Sequence, residues 1–201
     1  MGKDPEKLEY RKVTHVQFDM DGLLLDTEDI YESVFADISA QYGKTLSAQV
    51  RLKILGTTTY RSCETCVKDL ELPISIDNFM KQFFILSKER LQNVKFMPGA
   101  ERLIRHLHAH HIPICVATSS DEDSVKFKTK NHREAFELFE HIVMGSTDPE
   151  VEEGKPAPDI FLVAASRFID QPTPEDVSIL SLHKSIQIYF NYFPSTKVSC
   201  F

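Results

Sequence analysis

Two aspartates, Asp19 and Asp21, stand one residue apart after a short apolar run and directly before Gly22. Alternate side chains of an extended chain point the same way, so both carboxylates are expected on one side as the chain leaves a strand. In open α/β sheets, ligands bind at the carboxyl ends of the strands. One carboxylate can attack a phosphorus atom while the other handles the proton of the leaving group, provided that a cation offsets the negative charge. The pair therefore fits phosphoryl-transfer chemistry, although an isolated Asp-x-Asp usually marks a solvated turn.

Further polar residues follow apolar runs downstream. Thr118 and Ser119 end the run 113–117, and Lys155 lies in the proline-braced loop 154–159. A hydroxyl and backbone amides at a strand end can bind phosphate oxygens, and a lysine can neutralise the remaining charge. Taken singly, Thr118 and Ser119 could cap a helix, and Lys155 could be a surface residue. Their order along the chain favours a phosphate site over these separate explanations.

The elements that must position these residues alternate between strands and helices. Apolar, β-branched runs predict strands at 14–19, 113–117, 141–145 and 177–180, and apolar residues recur at helical spacing between about residues 28 and 91. Strands that alternate with helices imply right-handed βαβ units and a parallel sheet. We therefore expect an α/β fold with a Rossmann-like parallel sheet and an inserted helical domain.

Four motifs together resemble the haloacid dehalogenase superfamily, in its branch of phosphatases and phosphomutases with a helical cap. They are residues 18–28, residues 97–99, residues 117–120 and residues 154–161. The resemblance extends from about residue 13 to residue 180. It implies a substrate that is a small phosphorylated metabolite, with pseudouridine 5'-phosphate as a candidate. A sugar phosphomutase, which uses the same aspartyl phosphate, is the alternative enzyme.

The resemblance also implies domain limits. A haloacid dehalogenase-like α/β core comprises residues 13–27 and 96–182, a helical cap domain comprises residues 28–95, and a divergent tail comprises residues 183–201. The cap is thus expected as an insertion after the first strand.

Each candidate site residue takes a role from the same resemblance. Asp19 is implied as the nucleophile that becomes an aspartyl phosphate, and Asp21 as the general acid and then the base for the hydrolytic water. Thr118 and the amide of Ser119 would hold the phosphoryl oxygens, and Lys155 would pair with Asp19 and the phosphate. Mg²⁺ would be bound by the Asp19 carboxylate and the Asp21 main-chain carbonyl, since hard oxygen donors suit this ion.

The chain departs from the family pattern after the fourth expected strand. The family has one or two acidic residues there, but this sequence contains no Asp or Glu after Asp176. We therefore expect weak Mg²⁺ binding, a core truncated at its C-terminal end, and an exposed sheet edge. The run 186–193 would either partly cover this edge or favour aggregation. A catalytically weak or dead variant that acts as a binding protein is the competing hypothesis.

Composition limits the partners. The formal net charge of -7 argues against a protein that mainly binds nucleic acid or an anionic membrane. No apolar run is long enough to span a bilayer, and the polar start of the chain lacks the apolar core of a secretory signal. We expect a cytoplasmic protein, monomeric, with a small-molecule substrate.

A basic run follows the second expected strand. It contains Lys126, Lys128, Lys130 and Arg133. We expect these side chains to be solvated at the start of a helix, with attraction of phosphate substrates as the alternative.

Overall fold

A parallel sheet of five strands forms the centre of the protein. The computed structural model describes residues 13–54, 57–181 and 198–199. The strand order is β3-β2-β1-β4-β5. The strands are β1 (His15–Phe18), β2 (Ile114–Thr118), β3 (His141–Met144), β4 (Val177–Leu180) and β5 (Val198–Ser199). The predicted α/β fold with a parallel sheet is confirmed.

The central strand β1 sets the position of the site. Phe18 pairs with Val116 of β2 on one side and with Leu180 of β4 on the other. All residues of β1 and β2 are buried, as expected for parallel strands that are covered on both faces. Because the strands are parallel, the residues that follow β1, β2 and β4 meet at one edge of the sheet.

Helices and the turns between them cover the two faces of the sheet. They are α5 (Ala100–Ala109), α6 (Glu122–Thr129), α7 (Arg133–Phe136), α8 (Asp159–Ser166) and the 3-10 turn Pro174–Asp176. Val116 belongs to the apolar cluster that contains Ile104 of α5 and Val125 of α6, whereas its neighbour Ala117 belongs to the cluster that contains Ile160 of α8. The alternation of β2 side chains therefore divides the core into two layers.

Four helices between β1 and α5 pack around an apolar cluster of their own. They are α1 (Glu28–Gln41), α2 (Ala48–Ile54), α3 (Thr59–Asp69) and α4 (Ile76–Leu91). The hydroxyls of Thr58 and Ser75 cap α3 and α4 by accepting hydrogen bonds from backbone amides. The cluster includes Phe35, Phe79 and Phe83. We call these four helices the cap; its limits at residues 28 and 95 stay a prediction.

The two segments that join the cap to the core are hydrogen-bonded to each other. The amide of Asp26 donates to the carbonyl of Lys95 at 2.9 Å, and the amide of Met97 donates to the carbonyl of Leu24 at 2.9 Å. Leu25 and Phe96 form an antiparallel bridge between them. The cap is thus attached through a paired, two-stranded connection. Within the described part of the chain, no helix has the length and apolar character that crossing a membrane requires.

Strand β4 was expected to form a free lateral edge of the sheet, but it is paired with β5. Ile179 pairs with Val198 and Leu180 with Ser199, both in parallel. The tail therefore contributes a fifth strand, which corrects the expectation that the sheet ends at β4. A strand of two residues is too short to show a periodic signal, so the sequence pattern did not indicate it. The run 186–193, expected either to cover this edge or to favour aggregation, lies outside the described residues.

Candidate active site

Asp19 lies at the end of β1, nearly buried, with partners for both carboxylate oxygens. Its Oδ1 is 2.8 Å from the Nζ of Lys155 and accepts a hydrogen bond from the amide of Met20 at 2.9 Å. Its Oδ2 accepts a hydrogen bond from the Oγ of Ser181 at 2.7 Å. The Asp19 amide donates to the carbonyl of Leu180 at 2.9 Å, which continues the pairing of β1 with β4. Backbone and side chain are therefore both fixed at the edge where the strands end.

Lys155 reaches this edge from the loop between β3 and α8. Its Nζ donates to the carbonyl of Ala117 at 3.0 Å and lies 5.0 Å from the centre of the Phe161 ring. Its side chain is 5% exposed, and that of Asp19 is 9% exposed. The structure thus brings together the predicted nucleophile and the predicted phosphate-binding lysine as a buried ion pair.

Asp21 belongs to a second ion pair on the cleft side of the same edge. Its Oδ1 is 2.7 Å from the Nζ of Lys128, and its Oδ2 accepts a hydrogen bond from the Oγ of Ser120 at 2.9 Å. The Oγ1 of Thr118 donates to Oδ2 at 3.4 Å. Burial acts to raise the pKa of Asp21, but the charge of Lys128 and the hydrogen bonds from Lys128, Ser120 and Thr27 outweigh it and lower the pKa. The carboxylate form is therefore favoured.

Lys128 corrects an expectation from the sequence. The lysine was expected to be solvated, but its side chain is 4% exposed, whereas Lys126 is exposed and pairs with Glu122. Burial acts to lower the pKa of Lys128, but the charge of Asp21 and contacts with Tyr31 raise it overall. Lys128 lies three residues after the buried Val125, on the core side of α6. The sequence analysis did not use that spacing, which is the one local signal for a buried position here.

The two predicted phosphate-binding residues at the end of β2 differ in exposure. Thr118 is fully buried, and its Oγ1 accepts a hydrogen bond from the amide of Ser120 at 3.1 Å. Ser119 is exposed, and its carbonyl accepts a hydrogen bond from the hydroxyl of Ser146. Thr118 is therefore brought to Asp21, while the side chain of Ser119 lies at the surface of the cleft.

A tight turn after Asp21 brings a third acidic residue to the site. Gly22 has a φ of 74°, which favours glycine, and its amide donates to the Oγ1 of Thr27 at 3.1 Å. A Cβ atom at Gly22 would lie 3.1 Å from the Cγ of Glu28. Burial, and then the charges of Asp21 and Asp19, raise the pKa of Glu28. Sequence reasoning did not single out Glu28, whose position after the turn is set by the start of α1.

A cleft of about 1340 Å³ opens between the cap and this edge of the sheet. The core contributes polar groups to its wall, and the cap contributes hydroxyl and aromatic groups. The lining residues include Asp21, Ser119 and Lys128 from the core, and Tyr31, Thr57 and Phe83 from the cap. The cleft has room for a phosphorylated small molecule, with a phosphoryl group at the sheet edge and the remainder against the cap.

The donor atoms at this edge bear on whether Mg²⁺ suits the site. The Asp19 carboxylate and the Ser181 hydroxyl are 2.7 Å apart, and both are hard oxygen donors of the kind that Mg²⁺ prefers. Among the residues that the structure describes, no group of three or more His, Cys, Asp or Glu side chains could hold a metal ion. The donor types therefore fit Mg²⁺, with Asp19 as the carboxylate and neutral oxygens beside it. Because this donor set has one carboxylate, we expect it to bind Mg²⁺ weakly.

Comparisons with known proteins agree with this geometry. A family model described as haloacid dehalogenase-like hydrolase matches residues 16–179. A probable pseudouridine-5'-phosphatase of Drosophila melanogaster is 50% identical over 166 residues, which cover 83% of this chain and 72% of the relative. The mitochondrial (DL)-glycerol-3-phosphatase 1 of Arabidopsis thaliana is 44% identical, over 80% of this chain and 54% of the relative. This chain therefore spans only about half of that second relative.

A solved structure gives the same fold. The crystal structure of a HAD family hydrolase from Deinococcus radiodurans, with bound phosphate and sodium, superposes with a TM-score of 0.73 at 20% identity. The match covers 94% of this chain and 80% of that one. At this identity the likeness concerns the fold alone.

Proposed function

Because the chain belongs to the haloacid dehalogenase-like hydrolase family, we propose that it is a phosphatase that hydrolyses a small phosphorylated metabolite through an aspartyl phosphate on Asp19. The observation that carries this proposal is the buried Asp19–Lys155 pair, 2.8 Å long, at the strand edge beside the cleft. The similarity to a probable pseudouridine-5'-phosphatase supports pseudouridine 5'-phosphate as the substrate.

In the proposed reaction, an oxygen of Asp19 attacks the phosphorus atom and the bond to the leaving oxygen breaks. Thr118 and the amide of Ser119 hold phosphoryl oxygens, and Lys155 offsets their charge beside Asp19. Asp21 first gives a proton to the leaving oxygen and then takes one from the water that hydrolyses the aspartyl phosphate. The lowered pKa of Asp21 suits the second step, which requires the carboxylate.

Mg²⁺ is part of the proposal. The Asp19 carboxylate and the Asp21 main-chain carbonyl would hold the ion, and Ser181 could add a hydroxyl ligand. When bound, Mg²⁺ supplies positive charge that offsets the carboxylate and the phosphate. The cytoplasmic location and the monomeric state stay predictions from the sequence.

Release of inorganic phosphate tests the function. With millimolar Mg²⁺, the wild-type chain should release phosphate from p-nitrophenyl phosphate and from pseudouridine 5'-phosphate. Asp19→Asn should release none, because an amide cannot form the acyl phosphate. Asp77→Asn, an exposed position in α4, is the matched control and should be unchanged.

The alternatives give different results in the same assay. A binding protein would bind vanadate but release no phosphate, and a phosphomutase would move the group to a sugar hydroxyl. Full turnover by Asp19→Asn would exclude Asp19 as the nucleophile.

A further inference from the structure

We propose that Lys128 is a positioning residue, which together with Ser120 holds the Asp21 carboxylate in the orientation required to take a proton from the water that hydrolyses the aspartyl phosphate. This inference rests on the proposed phosphatase function. The three side chains form a closed set of contacts. Lys128 Nζ is 2.7 Å from Asp21 Oδ1 and donates to Ser120 Oγ at 2.9 Å, and Ser120 Oγ donates to Asp21 Oδ2 at 2.9 Å. Each carboxylate oxygen of Asp21 is thus fixed by a different side chain.

The burial of Lys128 shows that this contact is specific. Its side chain is 4% exposed, while that of Asp21 is 24% exposed. Fixing a lysine side chain costs rotamer entropy, and a buried ammonium requires a partner. The ion pair with Asp21 and the hydrogen bond to Ser120 satisfy that requirement.

Each of the two lysines at the site pairs with a different aspartate. Lys155 pairs with Asp19, and Lys128 pairs with Asp21. Lys155 approaches from the α8 side of the sheet, where it contacts Phe161, whereas Lys128 approaches from α6. Each carboxylate is therefore oriented independently, so loss of Lys128 should disturb Asp21 without removing the charge partner of Asp19.

Lys128 also contacts the cap. Its Nζ lies 5.8 Å from the centre of the Tyr31 ring, in α1. Tyr31, Ser120 and Asp21 all line the cleft. The side chain that orients Asp21 is thus also in contact with the cap.

Separate measurement of the two reaction steps distinguishes positioning from a structural role. The p-nitrophenolate group departs without proton donation, so with p-nitrophenyl phosphate Asp21 is needed only when water hydrolyses the aspartyl phosphate. Lys128→Met should therefore still release a rapid burst of about one p-nitrophenolate per protein molecule, while its steady-state turnover should fall by about 100-fold, within the range typical of general base catalysis. Asp21→Asn should show the same burst and the same slow turnover. Lys126→Met, an exposed lysine on the same helix, should change neither step.

Loss of the burst together with the steady-state turnover, or no loss of turnover, would overturn the inference. Ser120→Ala serves as a second variant if Lys128→Met does not fold, and it should show the same burst with a smaller loss of turnover. Crystal structures of the variants give a measurement that does not need turnover. In these variants the Asp21 carboxylate should leave its present rotamer, and an unmoved Asp21 would refute the positioning role. Absence of any wild-type activity would refute the proposed function instead.

Discussion

Replacing Lys155 with methionine should destabilise the protein by about 3 kcal/mol at pH 7. The Asp19–Lys155 ion pair is almost buried and 2.8 Å long. At that separation, with an effective dielectric constant of about 20, the attraction is about 6 kcal/mol. Desolvation of the lysine offsets part of it, and breaking a buried pair costs about 3–5 kcal/mol. We take the lower end because the Met20 amide and the Ser181 hydroxyl still donate to Asp19 in the variant.

Urea unfolding followed by far-ultraviolet circular dichroism measures this loss. Lys126→Met, which removes an exposed lysine, should change the unfolding free energy by less than about 0.5 kcal/mol. In a double-mutant cycle with Asp19→Asn, the loss of unfolding free energy in the double variant should be smaller than the sum of the two single losses by about 2 kcal/mol or more. Additive losses, or a Lys155→Met variant as stable as the wild type, would refute the reasoning.

Two further predictions concern protons and metal. Because the pKa of Asp21 is lowered in the fold, its pair with Lys128 stabilises the protein above the ordinary aspartate pKa and loses this effect as the pH falls through the lowered value. The difference in unfolding free energy between wild type and Lys128→Met should therefore be constant from about pH 5 to 8 and shrink below about pH 4. Urea unfolding at each pH measures this difference, and a difference that stays the same in acid would contradict the prediction. Ser181→Asp should bind Mg²⁺ about tenfold more tightly than the wild type in isothermal titration calorimetry, because a second carboxylate would lie beside Asp19. Ser181→Asn is the uncharged control. Equal Mg²⁺ affinities of Ser181→Asp and the wild type would count against Asp19 as a metal ligand.

The strands were predictable because each is a short, continuously apolar run. The fourth predicted strand, 177–180, has the bounds of β4, and the third, 141–145, ends one residue later than β3. Strands of a parallel sheet are buried on both faces, so their sequences are continuously apolar. The meeting of Asp19 with Lys155 was implied by the resemblance to the family, and the structure forms it between the end of β1 and the loop before α8.

The partners of the two aspartates were less predictable, because they lie far away along the chain. Lys128 is 107 positions from Asp21, and Ser181 is 162 positions from Asp19. A lysine in a basic run resembles a solvated residue until its tertiary contact is known. Ser181 stands where an acidic residue was expected, so its sequence position indicated a missing ligand rather than a hydroxyl that donates to Asp19.

The paired segments that join the cap to the core restrict how the cleft can open. Two independent tethers would let the cap twist and slide over the sheet edge. Here Asp26 is bonded to Lys95, and Leu24 to Met97, so the two segments bend together as one ribbon. A ribbon flexes most easily across its flat face, which confines the cap to a single hinge axis. The rings of Tyr31 and of Phe83 in α4 have their centres 5.6 Å apart, so both belong to the same part of the cap. A hinge motion of the cap would therefore carry both rings together toward or away from Lys128.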